Sequence, residues 1–151
     1  MKRITILAGH YGSGKTNIAV SLALKMKKEG YDTVIADLDI VNPYFRTKDS
    51  EKELLDNGIT LICSQYANTN VDLPAIPAES YRIVQDKSCY GVIDIGGDDR
   101  GAYALGRFAD AIKAEGDYRM AEHNSIPMIR LMIPSFKTGE IVTENTKIYL
   151  S

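Results

Sequence analysis

The chain has 151 residues, one domain's worth, with 44% hydrophobic residues and 18 basic against 20 acidic side chains. A formal net charge of −2 leaves no overall field to draw it to nucleic acid or to an anionic membrane surface. No stretch approaches the roughly 20 apolar residues of a membrane span, and Met1-Lys2-Arg3 precedes an apolar run too short for a secretory core.

In chain order, the apolar run Ile4-Thr5-Ile6-Leu7-Ala8 predicts a first strand over Arg3 to Ala8. It leads into Gly9-His10-Tyr11-Gly12-Ser13-Gly14-Lys15-Thr16. A helix is expected from Lys15 to Glu29, with Ile18, Leu22 and Met26 at four-residue spacing and Ala19 and Ala23 beside them. Lys25, Lys27 and Lys28 put positive charge at its negative end, and Gly30 closes it. A second strand, Thr33 to Ala36, runs into Asp37-Leu38-Asp39, and Asn42-Pro43 marks a turn. A short helix over Ser50 to Asp56 has Ser50 as its cap with Glu53 three residues on, and Asn57-Gly58 stops it. A third strand follows, Ile59 to Cys63. Residues 64–78 read as loop, and Ala78 to Asp86 as a helical segment. The fourth strand, Tyr90 to Ile95, is apolar enough to be buried on both faces. Gly96-Gly97-Asp98-Asp99-Arg100-Gly101 breaks it before a helix from Ala102 to Ala114, with Leu105, Phe108, Ala109 and Ile112 on one side. Strands alternating with helices predict an α/β fold on a mainly parallel sheet with helices on both faces. Cys63 and Cys89 each border a predicted strand and read as buried thiols, which fits a reducing cytoplasm.

The chemistry gathers where predicted strands end. Glycine, four residues and Gly-Lys-Thr, between a strand and a helix, form a phosphate-cradling loop. Its glycines let successive N–H groups converge on phosphate oxygens, and the helix adds its positive dipole end. The nucleotide-binding set is Gly9, Tyr11, Gly12, Ser13, Gly14, Lys15, Thr16 and Asn17. Lys15 is expected to reach the β- and γ-phosphates, and the Thr16 hydroxyl to ligate Mg²⁺. Parallel sheets bind ligands at the carboxyl ends of their strands. There the second strand offers Asp37 and Asp39, on one face if the strand continues. The fourth offers Asp94, a carboxylate suited to holding hydrated Mg²⁺ indirectly. Thr16, Asp37 and Asp94 are the metal-side candidates, and Lys15 and Asp39 complete the charged set at this edge. Gly96 and Gly97 leave room for a γ-phosphate. His10 is the loop side chain best placed near phosphate. Asp98, Asp99 and Arg100 have three readings: γ-phosphate sensor, partner contact, or solvated loop.

These residues resemble the ParA/MinD/CobQ-type family of P-loop ATPases over roughly residues 1–116. The resemblance rests on the loop from Gly9 to Thr16, on Asp37-Leu38-Asp39-Ile40-Val41-Asn42-Pro43, and on Asp94-Ile95-Gly96-Gly97. The run Gly96-Gly97-Asp98-Asp99-Arg100-Gly101-Ala102 is similar to that of a subgroup of short bacterial ATP-binding proteins. The resemblance implies a three-layer P-loop NTPase fold, ATP and Mg²⁺ as ligands, slow hydrolysis and nucleotide-dependent pairing of two subunits. It gives Lys15 and Thr16 the phosphate and metal roles. Asp39 takes the position of the acid that orients the attacking water, supported by Asp37, and Asp94 that of the acid that holds Mg²⁺ through water. The family's extra lysine near the start of the loop, which reaches the partner's nucleotide, is replaced here by His10. Imidazole is shorter and carries less charge. Slow turnover is therefore expected unless Arg100 or a partner supplies a cation.

From about Asp117 the pattern changes, and the family would continue with further strands and helices. Residues 117–151 are expected to be a divergent tail, either the truncated or frame-shifted end of a longer ancestor or a diverged short form. Without a later strand, the first strand becomes an apolar edge, open to pairing or aggregation unless Ile129 to Ile133 covers it. The leading functional expectation is a Mg²⁺-dependent ATP-binding protein with weak ATPase activity, acting as a switch on an unknown protein partner or as a homodimer. The alternatives are a small-molecule kinase or ATP-dependent ligase using Tyr44, Arg46 and Arg82 for an acceptor, and an inert remnant of an ATPase.

Overall fold

Seven consecutive buried residues, Arg3 to Gly9, carry the first strand, β1 (Ile4–Gly9), through the middle of the protein. The computed structural model describes residues 1–10, 12–39, 47–63, 76–123, 139–143 and 146–150. After β1 come α1 (Lys15–Lys28), β2 (Asp32–Asp37), α2 (Thr47–Asp56) and β3 (Thr60–Cys63). A 3₁₀ turn over Ala78–Tyr81 leads into α3 (Arg82–Gln85) and β4 (Cys89–Gly96). Then follow α4 (Asp99–Gly106), α5 (Ala109–Glu115), β5 (Tyr118–His123), β6 (Gly139–Thr143) and β7 (Thr146–Leu150).

The strands form one sheet in the order β3-β2-β4-β1-β5-β7-β6. The first five run parallel; β7 pairs antiparallel to β5, and β6 pairs antiparallel to β7. Side-chain alternation sorts the sheet into two faces. Leu7, Ile35, Val92 and Ala121 pack with Ala19, Ala23 and Met26 of α1 and Leu54 of α2. Ile4, Ile6, Val34, Ile93, Ile95 and Met120 pack with Ile83, Leu105, Phe108 and Ile112 from α3, α4 and α5. The expected three-layer α/β fold on a mainly parallel sheet is thus what the chain adopts. Among the described residues, no helix is long and apolar enough to cross a membrane.

The largest correction concerns β1. It is no edge: β4 pairs on one side and β5 on the other, with Ile6 opposite both Ile93 and Met120. Tyr118–His123 supplies the missing strand. Tyr118 and Met120 enter one core and Ala121 the other, while Arg119 reaches the Thr5 hydroxyl at 2.9 Å. The segment Ile129 to Ile133, considered as an edge cover, lies outside the described residues.

The helix expected over Ala102 to Ala114 is two helices, broken at Gly106-Arg107-Phe108. Glycine is a weak helix former, and the break lets Leu105 and Phe108 both enter the core, where Phe108 meets the Tyr81 ring at 4.9 Å. In α2, Thr47–Asp56 begins before Ser50, so Ser50 is not a cap. The expected ends elsewhere hold. Gly30, at φ +93°, closes α1 as Gly30 N–H donates to Lys27 O and Tyr31 N–H to Met26 O, a Schellman closure. Asn57 Nδ2 donates to Glu53 O at 2.8 Å at the end of α2. Cys89 is buried as expected, whereas Cys63, at the end of the outermost parallel strand, is exposed.

The face that α1 turns inward also differs from the expected one. Lys15, Thr16, Ala19, Val20, Ala23 and Met26 are buried, while Ile18 is 42% exposed. The loop sets this phase: Lys15 and Thr16 must face the strand ends, and the later buried positions follow at three- and four-residue steps.

At the amino edge of the sheet, Arg3 fixes the start of β1. Its guanidinium is buried, with Nε 2.6 Å from Glu115 Oε1. Its Nη1 donates to the carbonyls of Ile83, Asp86 and Cys89 at 2.9, 3.2 and 2.9 Å. Lys87 also pairs with Glu115, and Lys2 with Asp117. One side chain thereby ties β1 to the α3–β4 turn and to the end of α5. Removing one partner of a buried ion pair costs about 3–5 kcal/mol. Arg3→Ala is therefore expected to lower the unfolding free energy by that amount in urea titrations; a loss below about 1 kcal/mol would show that the clamp contributes little.

Candidate functional site

β4 lies between β1 and β2, and its register decides what meets at the carboxyl edge. Gly9 stands opposite Gly96, Leu7 opposite Asp94, and Asp94 opposite Asp37. Asp37 has the parity of Ile35, and Asp94 that of Val92, so both belong to the face that α1 covers. The Leu38 N–H then donates to the Asp94 carbonyl at 2.8 Å, carrying the main chain past the strand end.

From Gly9 the chain turns into α1. Gly12 and Gly14 hold φ of +76° and +79°, left-handed values that glycine adopts without steric cost. The His10 carbonyl accepts from the Ser13 N–H at 3.2 Å and from Lys15 Nζ at 3.4 Å. Gly14 caps α1 with no side chain, leaving the first N–H groups of a 14-residue helix without a side-chain acceptor. The Ser13 hydroxyl is buried with no hydrogen-bond partner among the described residues. Asn17 is exposed on the first turn and His10 is exposed on the loop. Tyr11 lies outside the described residues.

Two contacts join the loop to the strand ends. Thr16 Oγ1 donates to Asp94 Oδ2 at 2.5 Å, and Lys15 Nζ sits 3.3 Å from Asp39 Oδ2. Both side chains of the latter pair are almost wholly buried. Asp37 and Asp39 do not share a strand face, because β2 ends at Asp37. Asp37 Oδ1 instead accepts from the Asp39 N–H at 3.1 Å, and this turn directs Asp39 toward Lys15.

Asp94 is 1% exposed, and its Oδ1 has no hydrogen-bond partner among the described residues. Burial pushes its carboxyl up to about 7. The Thr16 hydrogen bond and the Lys15 charge pull the other way, while Asp37 and Asp39 add repulsion to the ionised form. Among the described residues, no group of three or more His, Cys, Asp or Glu side chains is assembled to hold a metal.

Beyond β4 the backbone crosses the loop at close range. A Cβ at Gly97 would lie 2.5 Å from Gly9 C and 2.7 Å from His10 N, so only glycine fits. Asp98 caps α4, its Oδ1 accepting from the Gly101 N–H at 2.9 Å, while Asp99 and Arg100 are exposed. The sequence left Asp98 with three readings; the cap is a structural role that the spacing to Gly101 already allowed.

No protein-family model matches the chain, and no curated protein matches it. Its own geometry therefore carries the argument. Of the sequence-derived candidates, the fold brings Gly9, Gly12, Ser13, Gly14, Lys15, Thr16, Asp37, Asp39 and Asp94 to one edge. It does not bring Arg82 there: that side chain pairs with Asp32, at the start of β2, at 2.7 Å, and with Asp86 at 3.4 Å. Tyr44 and Arg46 lie outside the described residues.

The raised Asp94 carboxyl has a consequence for stability. Its native value, about 7, lies above the unfolded value of 3.8, so between those limits the native state holds the extra proton. Stability must then fall as pH rises through that window. The loss is up to about 4 kcal/mol for this group alone. In metal-free buffer, Asp94→Asn should gain on the wild type from pH 4 to 7 and hold a constant lead above pH 8, read from urea unfolding. Parallel curves for the two proteins would refute the raised carboxyl.

Proposed function

We propose that this protein binds a nucleoside triphosphate with Mg²⁺ at the carboxyl edge of its sheet and hydrolyses it slowly, as a nucleotide-dependent switch. The observation that carries the reading is the meeting, at the opening of a helix whose N-cap glycine has no side chain, of Thr16 with Asp94 from β4 and of Lys15 with Asp39 beyond β2. Main-chain N–H groups around Gly12, Ser13 and Gly14 would take phosphate oxygens, helped by the dipole of α1. Lys15 would neutralise the β- and γ-phosphates as a point charge. The unpartnered Ser13 hydroxyl and Asp94 Oδ1 are polar groups that a bound ligand and its hydrated ion would satisfy.

The residues present fit a magnesium ion: a hydroxyl beside a buried carboxylate suits a hard cation that keeps most of its waters. Mg²⁺, when bound, supplies charge neutralisation along the phosphate chain. Thr16 would ligate it, and Asp94, with Asp37 beside it, would hold it through water. Asp39 would orient the attacking water. ATP is the nucleotide that the resemblance implies, as it implies pairing of two subunits. With His10 at the loop's second position, no lysine there would stabilise the transferring phosphoryl, so slow turnover is expected.

Calorimetric titration of ATP, ADP and GTP with Mg²⁺, on this chain and on Lys15→Ala, tests the reading. A charged hydrogen bond to phosphate is worth about 1.5–3 kcal/mol, so Lys15→Ala should weaken triphosphate binding by roughly 10- to 100-fold. Absence of heat with every triphosphate, in both proteins, would end it.

A further inference from the structure

We infer that Asp39 is an intramolecular occupant of the phosphate site, its carboxylate holding Lys15 in the place of a phosphate oxygen, so that binding requires its displacement. The inference rests on the proposed triphosphate reading and adds to it a built-in competitor.

Four observations place the carboxylate inside the site rather than beside it. Lys15 Nζ lies 3.3 Å from Asp39 Oδ2, with the two side chains only 4% and 6% exposed. Its other acceptor, the His10 carbonyl at 3.4 Å, is neutral and belongs to the loop itself. Asp39 Oδ1 lies 3.3 Å from where a Cβ on Gly96 would stand, beside Asp98 Oδ1 at 3.0 Å, so the Asp39 carboxylate shares with the α4 cap the space that this glycine leaves open over the end of β4. Gly97, the next residue, rests against Gly9 and His10. Asp39 therefore lies between the loop lysine and the strand end, where the β4 chain crosses the loop.

Charge makes the two occupants exclusive. Like charges a few ångströms apart repel strongly in a site shielded from water. A phosphate drawn to Lys15 would meet that repulsion from Asp39, and one anion must yield. On this inference the carboxylate is the one that yields. Asp39 lies beyond the last residue of β2 and is set by a turn on Asp37 Oδ1, not by a strand ladder. In the empty state the arrangement has its own logic: a buried ammonium without a counter-ion is strongly destabilising, and Asp39 provides one. Apparent affinity is then reduced by the fraction of molecules in which Lys15 is released.

Inorganic pyrophosphate without metal is the probe, titrated into the labelled full chain and followed by NMR, which reads weak binding. Asp39→Asn should bind it roughly tenfold more tightly than the wild type. Removing a negative charge alone would also tighten binding, so the decisive step is the same substitution in a Lys15→Ala background. A latch acting through Lys15 predicts less than a twofold change there. An equal gain in both backgrounds, or no gain in the first, overturns the latch while leaving triphosphate binding intact. If neither wild type nor Asp39→Asn binds pyrophosphate, and ATP with Mg²⁺ also fails to bind, both the latch and the functional reading fall. Should Asp39→Asn not fold, the wild type decides. Its assigned Asp39 Cγ resonance should move on saturation with pyrophosphate, and a stationary resonance while the Ser13 and Gly14 amides shift would overturn the inference.

Discussion

The parallel register of β4 between β1 and β2 sets the spacing of every group at the candidate site. Adjacent strands lie a little under 5 Å apart. Placing Asp94 opposite Asp37 and Gly96 opposite Gly9 therefore brings an acid, a second acid and the loop within one side chain's reach. A slip of one residue in β4 would send Asp94 to the face of α4 and α5 and bring Ile93 or Ile95 toward Thr16. The apolar faces forbid that slip, because Ile93 and Ile95 belong to one core and Val92 to the other. The packing of the sheet thus enforces the geometry of its edge.

That edge concentrates charge away from water. Lys15 and Asp94 are both buried, and Asp39 is nearly so. One ammonium faces three carboxylates, and the response differs by position: Asp39 takes the ion pair, while Asp94 takes a hydroxyl and has its ionisation suppressed by burial. Such an arrangement stores unfavourable electrostatics that a bound cation would relieve, which is a common trait of functional sites.

Much of this was legible in the sequence, and for identifiable reasons. The four strands from Ile4 to Gly96 are short apolar runs bounded by glycine or acid, and the loop has a fixed glycine spacing. β5 was not legible, because Arg119, Glu122 and His123 dilute its apolar signal and only the sheet reveals that Tyr118, Met120 and Ala121 divide between two cores. The phase of α1 was misjudged for a related cause. Spacing alone fitted Ile18 and Met26 to one face, but the loop's need to turn Thr16 toward Asp94 rotates Ile18 outward. Asp39 reaches Lys15 by a geometry other than the expected one: a turn on Asp37, not strand alternation, brings it there. Side-chain hydrogen bonding to a neighbouring main chain has no periodic signature to read.

The contact between Gly101 and Gly96 has a mechanical consequence. A Cβ on Gly101 would fall 2.0 Å from the Gly96 carbonyl oxygen, so the first turn of α4 is seated on the last peptide of β4 with no slack between them. The Asp98 cap stiffens the same joint. Tyr103 and Arg107, joined at 3.4 Å, stand toward the far end of the same helix, so its outer end and the last peptide of β4 belong to one closely seated unit.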